Sequence, residues 1–212
     1  MRTYQELLTH LRNAGVLKTD RIAAAFAAAD RQEFVPPELK DQAYVDAPLP
    51  IGHGQTISQP HTVAFMMELL APQPGQKVLD VGFGSGWTTA ILANAVGAEG
   101  EVYAMEILPE IFEFGKSNLD KFNFKNVFLF NRSGWEGLPE KSPFDRILVS
   151  AASPAVPEAL RKQLKVGGRL VIPVGKRSVL DYSQSVVLLE KTGPNQFRQQ
   201  AYPGFAFVPL VK

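Results

Sequence analysis

The feature that most constrains the fold of this chain is the run from Val78 to Trp87, which reads VLDVGFGSGW. An apolar-rich stretch runs into glycines at three alternate positions, and a helix-like run follows. A buried strand would therefore end at Gly82, and a helix would begin near Trp87. Because glycine has no Cβ, the backbone between them can turn tightly and let a ligand approach its amides. The alternative is an ordinary turn from strand to helix.

A carboxylate stands at a position that suits such a ligand site. Glu106 lies twenty residues after Gly86 and ends the next apolar run, which begins at Glu101. An acid with this spacing can hydrogen-bond the two hydroxyls of a ribose. The pattern therefore predicts a nucleoside-type cofactor across the ends of two neighbouring parallel strands, and a surface glutamate is the alternative.

Strand and helix signals alternate after residue 76, which is typical of a parallel sheet covered on both faces. Strands are predicted at Lys77–Val81, Glu101–Met105, Val127–Phe130, Asp145–Ser150 and Arg169–Val174, and helices at Trp87–Val96, Pro109–Phe122 and Val156–Lys165, the last closed by Gly167 and Gly168. Ser185–Leu189 and Phe205–Val211 are strand-like with no helix between them, so we expect them to pair antiparallel. The predicted fold class is α/β, with a doubly wound, mostly parallel sheet, helices on both faces and an antiparallel C-terminal edge.

The residues ahead of this sheet predict a helical extension and a long loop. The sequence of residues 3–6, TYQE, fits a capping box, and Gly15 would end the helix that follows. Proline and glycine are dense at residues 34–60, where neither a helical nor a strand period fits, and loops of this length tend to be functional. We expect residues 1–212 to form one domain, with the helices and a substrate loop at 1–75 and the sheet core at 76–212.

Composition excludes several classes of protein. Hydrophobic residues make up 45% of the 212-residue chain, the net charge is +1, and there is no cysteine. No excess of positive charge favours nucleic acid, no disulfide or thiolate metal site can form, and no apolar run approaches the ~20 residues of a membrane span. We therefore expect a cytoplasmic monomer without a signal peptide that binds neither nucleic acid nor membrane.

The remaining charged residues form no obvious site. The three histidines, His10, His53 and His61, lack the spacing of metal ligands, so no metal site is expected. Basic residues such as Arg132 and the Lys176–Arg177 pair could attract acidic peptides, but scattered surface charge is the more ordinary interpretation.

The proline-rich loop contains the most specific pattern. Residues 49–60 read LPIGHGQTISQP and closely resemble the pre-core motif of protein-L-isoaspartate O-methyltransferases, which are class I S-adenosylmethionine-dependent methyltransferases. The resemblance covers nearly the whole chain, including GGRLVIPVG at residues 167–175 and FVPL at residues 207–210. It favours a Rossmann-like methyltransferase sheet over a dinucleotide-binding oxidoreductase, since about seventy-five residues precede the glycine run.

The resemblance implies methyl transfer from S-adenosyl-L-methionine to the free α-carboxylate of an L-isoaspartyl residue in damaged proteins and peptides. The ester re-forms a succinimide, so the lesion can return to aspartate. A carboxylate is already ionised at neutral pH, so this nucleophile needs no general base. Ser58 matches the family's active-site serine and would aim the carboxylate. The residue pattern alone favours Ser58 as a helix N-cap just ahead of Pro60.

The resemblance also implies a cofactor site. The glycines of the bend, Gly82, Gly84 and Gly86, would close around the amino-acid part of the cofactor. Asp80, at the end of the strand, would orient the loop or reach the amino group of the cofactor. A glutamate would hold the ribose, and Phe83 and Trp87, which replace a small residue and a tyrosine common in the family, would either stack or simply pack. The predicted cofactor-binding residues are Gln55, Thr56, Asp80, Gly82, Phe83, Gly84, Ser85, Gly86, Glu106, Ser133 and Gly134.

One position departs from the family pattern. The family usually carries Gly-Asp-Gly after the third core strand, with its aspartate on the adenine amino group, whereas residues 131–134 read NRSG and Ser133 occupies that position. A hydroxyl can still accept a hydrogen bond, but an uncompensated loss would cost ~1–3 kcal/mol of cofactor affinity. The resemblance implies that Ser133→Asp would preserve or improve activity.

Two alternatives to isoaspartyl methylation stay open at this point. The first is a methyltransferase of the same fold that acts on another carboxylate or a small-molecule acceptor. The second is a relative that keeps the fold but has lost its cofactor and its activity. Binding of S-adenosylhomocysteine would separate the second alternative from the other two hypotheses.

Overall fold

The computed structural model describes residues 1–175 and 184–211. The helices are α1 (Tyr4–Asn13), α2 (Asp20–Ala27), α3 (Pro60–Leu70), α4 (Trp87–Val96), α5 (Pro109–Asp120) and α6 (Glu158–Gln163). The strands are β1 (Leu49–Gly52), β2 (Gln55–Ile57), β3 (Lys77–Val81), β4 (Glu101–Glu106), β5 (Val127–Asn131), β6 (Phe144–Val149), β7 (Leu164–Val174), β8 (Gln184–Gly193) and β9 (Gln196–Phe205).

Seven of these strands form one sheet in the order β5-β4-β3-β6-β7-β8-β9. The strands from β5 to β7 run parallel, and β8 and β9 pair antiparallel at one edge. The strand β3 pairs with β4 on one side and β6 on the other, so the winding of the chain reverses at β3. Ligands of doubly wound sheets bind at the carboxyl ends of the strands at this point. The predicted fold class is confirmed.

The central strand β3 is apolar because both of its faces are buried. Val78 packs into the hydrophobic cluster that contains the N-terminal helices and α4. Leu79 and Val81 point to the opposite face and pack into a second cluster with β6 and β7. This alternation places Asp80 on the same face as Val78, beneath α4.

The N-terminal helices form as expected and dock on the helix that follows the glycine run. The Thr3 hydroxyl accepts a hydrogen bond from the Glu6 amide at 3.2 Å, which caps α1, and Gly15 follows its end with a φ of +69°. The indole Nε1 of Trp87 donates to the Ala29 carbonyl at 2.9 Å. The helical extension is therefore tied directly to the start of α4.

The loop at residues 34–60 contains regular structure that its sequence does not predict. Two short 3-10 helices, Arg31–Phe34 and Pro37–Gln42, precede the antiparallel hairpin of β1 and β2. His53 and Gly54 connect its two strands, and both have positive φ, as a type I′ turn requires. The strands are four and three residues long, which is too short for a strand period to be recognised.

Two predictions near the C-terminus are wrong in their boundaries. The helix expected at Val156–Lys165 is the shorter α6, and the chain enters β7 at Leu164, so Gly167 and Gly168 lie within a strand instead of closing a helix. The strand expected at Phe205–Val211 is β9 instead, which ends at Phe205. Most of β9 is solvent-exposed, so an edge strand of this kind carries little hydrophobic alternation.

Candidate active site

A cavity opens at the carboxyl ends of β3, β4 and β6, where the winding of the chain reverses. The ends of these strands and the loops after them contribute residues 81–85, 105–108 and 150–151. The strand β2 and the residue after it contribute 55–58, and the segment 208–211 forms a further wall. The glycine run and the proline-rich loop, which are far apart in the chain, therefore meet at one cavity.

Most of the predicted site residues lie on this cavity. The lining includes Gln55, Thr56, Ser58, Gly82, Phe83, Gly84, Ser85, Glu106 and Gly134. Asp80, Gly86 and Ser133 are not part of the lining. Each of these three residues contacts a part of the chain that forms the wall instead.

Gly86 shapes the bend from behind. Its φ is +89°, and a Cβ at this position would lie 2.8 Å from Leu119 Cγ and 2.9 Å from the Gly115 carbonyl oxygen. Gly115, on α5, is equally constrained, because its own Cβ would overlap with the Gly84 carbonyl oxygen. The bend and α5 therefore pack backbone to backbone, a close approach that only glycine permits.

Glu106 is held in place by backbone amides. Its Oε2 accepts a hydrogen bond from the Gly84 amide at 3.2 Å, and its Oε1 accepts from the amides of Ile107 and Leu108 at 2.8 and 3.0 Å. The side chain is 7% exposed. A carboxylate offers about four acceptor sites, so Glu106 can accept hydrogen bonds from hydroxyl groups in addition to these three.

Asp80 lies under the start of α4. Its Oδ2 accepts from the hydroxyls of Thr88 and Thr89 at 3.0 and 2.7 Å, and Oδ1 is buried without a hydrogen-bond partner among the described residues. Burial raises the pKa of Asp80 to about 6, although the two hydroxyl hydrogen bonds partly oppose that rise. Thr88 lines the cavity, so Asp80 stands directly behind the wall.

Ser58 is free to act in the cavity. The interpretation of Ser58 as a helix N-cap is wrong, because Gln59 is the N-cap residue of α3. The Asp46 carboxylate instead accepts from the His61 amide in the first turn at 2.9 Å. No hydrogen bond of the Ser58 hydroxyl occurs within residues 1–175 and 184–211.

Phe83 and Trp87, the two aromatic residues that depart from the family pattern, both pack in the core and line the cavity. Phe83 is 2% exposed and meets the Phe112 ring edge-on at 5.7 Å. Trp87 is 1% exposed and meets Phe26 in the same way at 5.6 Å. Their faces toward the cavity are therefore fixed by the core behind them.

Ser133 is directed at the segment 208–211 instead of the cavity. Its hydroxyl donates to the Val211 carbonyl at 2.9 Å and accepts from the Trp135 amide at 3.3 Å. The same segment is tied to the end of β6, since the Ala152 amide donates to Val208 and the Leu210 amide donates to Ala152, both at 2.8 Å. Ser133 thus acts on the cavity through its wall.

Sequence reasoning missed three contributors to the site. Gly115 is an isolated glycine inside a helical pattern, which is a recognisable signal of close packing. The segment 208–211 overlaps the FVPL motif of the resemblance, but its place at the cavity depends on hydrogen bonds to Ala152 after β6, which the motif does not reveal. Arg31, which is fully buried, lies in the 3-10 helix ahead of the proline-rich loop, and a single arginine gives no signal of its position.

Several expectations concern other classes of site. Among the residues that the structure describes, no group of three His, Asp or Glu side chains could hold a metal ion. Every helix in the same part of the chain is too short or too polar to cross a membrane. Arg132 pairs with the Glu140 carboxylate on the surface, and the Lys176–Arg177 pair lies outside the described residues.

Comparison with known proteins gives a consistent result. Residues 2–212 match the family model described as Protein-L-isoaspartate(D-aspartate) O-methyltransferase. A protein-L-isoaspartate O-methyltransferase from Methanopyrus kandleri is 46% identical over 99% of this chain and 92% of its own. One from Staphylothermus marinus is 43% identical over 98% of this chain and 93% of its own.

Solved structures share the fold. A structure named protein-L-isoaspartate O-methyltransferase superposes with a TM-score of 0.87 at 31% identity, over 99% of this chain and 66% of that one. A chain from Plasmodium falciparum, solved in complex with S-adenosyl-L-homocysteine, also has a TM-score of 0.87 over 100% of this chain and 99% of its own. Its identity is 24%, so this second likeness concerns the fold alone.

Proposed function

Because the chain belongs to the protein-L-isoaspartate(D-aspartate) O-methyltransferase family, we propose that Ser58 aims the acceptor carboxylate in the reaction of that family. The reaction is S-adenosylmethionine-dependent methylation of the free α-carboxylate of L-isoaspartyl residues in damaged proteins and peptides. The observation that carries the proposal is the Ser58 hydroxyl at the cavity wall, without a hydrogen-bond partner in the described part of the chain.

The residues of the cavity fit the cofactor. Glu106 lines the cavity, and three backbone amides fix the orientation of its carboxylate. A carboxylate held in this way suits the two hydroxyls of a ribose. The buried Oδ1 of Asp80 lacks a partner in the described chain, which suits a water that bridges it to the ammonium group of the cofactor. When bound, S-adenosyl-L-methionine supplies an activated methyl group on a sulfonium.

The cavity is suited to an acceptor that is already a nucleophile. Among the described residues that line it, Glu106 is the one titratable side chain. A carboxylate is ionised at neutral pH and needs no general base. An amine or alcohol acceptor would need a group to take its proton. This difference favours a carboxylate acceptor over the other acceptors that the fold could serve.

The contribution of Ser58 is orientation. Its hydroxyl can donate one hydrogen bond to a carboxylate without adding charge to the cavity. Alignment of reacting groups can supply ~7–11 kcal/mol in favourable cases. Apolar side chains in the cavity wall, which include Phe83, Met105 and Leu210, reduce the surface on which water could compete for the carboxylate.

The experiment is methyl transfer to a pair of peptides that differ only in an isoaspartyl or aspartyl residue. We expect labelling of the isoaspartyl peptide alone, and a loss of about 10-fold or more in kcat/KM for Ser58→Ala. Ser142→Ala, which removes a hydroxyl outside the cavity lining, controls for the loss of a hydroxyl as such. Equal labelling of both peptides contradicts the substrate assignment, and an unchanged rate for Ser58→Ala contradicts the role of Ser58.

Three broader expectations belong to the proposal. We expect a cytoplasmic location, a monomeric state and no role for nucleic acid, with which the composition and net charge are compatible. The division of one domain into 1–75 and 76–212 also stays a prediction. Size-exclusion chromatography with light scattering tests the monomer.

A further inference from the structure

A buried arginine connects the two parts of the chain that meet at the cavity. Arg31 is 0% exposed and lies in the 3-10 helix that follows α2. Its guanidinium stands 5.3 Å from the centre of the Trp87 ring. Trp87 is the first residue of α4 and lines the cavity. The described reaction leaves this buried cation without a role.

The guanidinium collects carbonyl oxygens from the proline-rich loop. Nη1 donates to the Ala43 carbonyl at 2.6 Å and to the Val45 carbonyl at 3.4 Å. Nη2 donates to the Ala47 carbonyl at 3.0 Å and to the Ser58 carbonyl at 3.1 Å. One side chain thus gathers residues 43–47 around the backbone of Ser58.

Charge and shape both favour arginine at this position. Burial lowers the pKa of Arg31 to about 10, and the nearby Asp46 carboxylate opposes that fall, so the group stays charged at neutral pH. The planar guanidinium presents its donors in a rigid fork. A lysine ammonium is a point charge with three donors, so it cannot reach the same carbonyls in the same geometry.

We propose that Arg31 is a positioning residue for methyl transfer, which holds the Ser58 backbone at the cavity wall and braces it against Trp87 at the start of α4. This contact fixes the Ser58 backbone, and with it the point from which the hydroxyl projects, before substrate arrives. Arg31 itself does not touch the substrate or the reacting atoms. This inference rests on the role of Ser58 proposed above.

The test compares Arg31→Lys with the unaltered enzyme and with Arg21→Lys. Arg21 also donates to a carbonyl, that of Pro72 at 3.2 Å, but its partner lies outside the cavity lining. We expect Arg31→Lys to lower kcat/KM for the isoaspartyl peptide about 10-fold or more, since small misplacements at a reacting centre can cost 100-fold. The dissociation constant of S-adenosylhomocysteine should change less than about 3-fold, because Arg31 makes no contact with Glu106 or Asp80.

The same assay separates this inference from the proposed function. In a Ser58→Ala background, Arg31→Lys should cause little additional loss of kcat/KM, because both changes disturb the same alignment of the acceptor carboxylate. If Ser58→Ala alone abolishes activity while Arg31→Lys leaves it intact, the role of Arg31 is overturned and that of Ser58 stands. If Ser58→Ala is fully active, the proposed roles of Ser58 and of Arg31 are both overturned. Equal losses of peptide turnover and cofactor affinity would make Arg31 a general stabiliser and overturn the inference.

A measurement on the unaltered protein tests the inference even if Arg31→Lys does not fold. Amide hydrogen exchange reports how often a segment opens. If the loop is preorganised, the hydrogen-bonded amides of residues 43–58 should be protected from exchange in the absence of cofactor. Their exchange rates should be close to those of the β3 amides. Exchange of these amides at the rate of an exposed loop would overturn the proposal.

Discussion

The hydroxyl of Ser133 donates a hydrogen bond to the carbonyl of Val211 at 2.9 Å. Two segments that are 78 residues apart in the chain are thereby joined at the edge of the cavity. The serine that replaces an expected acidic residue therefore supports a wall of the cavity.

This contact leads to a prediction for Ser133. Ser133→Ala should weaken binding of S-adenosylhomocysteine about 5-fold, since an exposed hydrogen bond contributes roughly 1 kcal/mol. Ser133→Asp should weaken it as well, because an ionised carboxylate cannot donate to the Val211 carbonyl. Isothermal titration calorimetry measures both. Ser142→Ala is the control. The Ser142 hydroxyl donates to the Pro139 carbonyl at 2.9 Å, and neither residue lines the cavity. Tighter binding by Ser133→Asp would support the implication of the family resemblance instead.

A second prediction concerns Glu106. Glu106→Gln replaces one acceptor oxygen by an amide nitrogen, which then faces either the Gly84 amide or those of Ile107 and Leu108. Two donors would oppose each other, so S-adenosylhomocysteine should bind about 10-fold more weakly or worse. Glu110→Gln on the exposed surface of α5 should leave binding unchanged. Unaltered affinity of Glu106→Gln would remove Glu106 from the cofactor site.

A third prediction concerns the pH dependence of stability. The pKa of Asp80 is raised from 3.8 to about 6 by burial, so the folded protein binds a proton more tightly than the unfolded chain does. The stabilisation is complete below pH 4 and is lost as the pH rises to about 6, a change of roughly 3 kcal/mol.

Asp80→Asn removes that loss, because the amide does not titrate and its oxygen still accepts from Thr88 or Thr89. The difference in unfolding free energy, variant minus unaltered protein, should therefore increase between pH 4 and pH 7. Urea unfolding across this range measures it. A difference that stays constant with pH would mean that Asp80 ionises with an ordinary pKa.

A fourth prediction concerns Gly115. Alanine normally favours a helix over glycine by up to ~1 kcal/mol, but here its Cβ would overlap with the Gly84 carbonyl and lie 2.6 Å from the Phe83 ring. Gly115→Ala should lower the unfolding free energy by about 1–3 kcal/mol and weaken cofactor binding. Lys116→Ala removes only a surface ion pair to Asp120 and should change stability by less than about 0.5 kcal/mol. A stabilised Gly115→Ala protein would show that the bend can move.

The succession of strands and helices and the glycine bend were predictable because their signals are local. The glycine run needs backbone freedom at Gly86, and the strand before it needs apolar residues on both faces, so both leave a trace in adjacent residues. Glu106 is predictable for the same reason, since its position follows from the length of one helix and one strand. The edge strand β9 was misplaced because exposed strands carry little hydrophobic pattern.

The amino-acid sequence by itself determined the α/β class, the cavity-forming glycine bend, and the family to which the chain is similar. Only the tertiary structure decided that Arg31 gathers the loop around Ser58, that Asp46 caps α3 in place of Ser58, and that Ser133 holds Val211. These contacts join side chains to backbone groups far away in the chain. A carbonyl or amide is present at every residue, so residue identity alone cannot specify which one a buried donor or acceptor will meet.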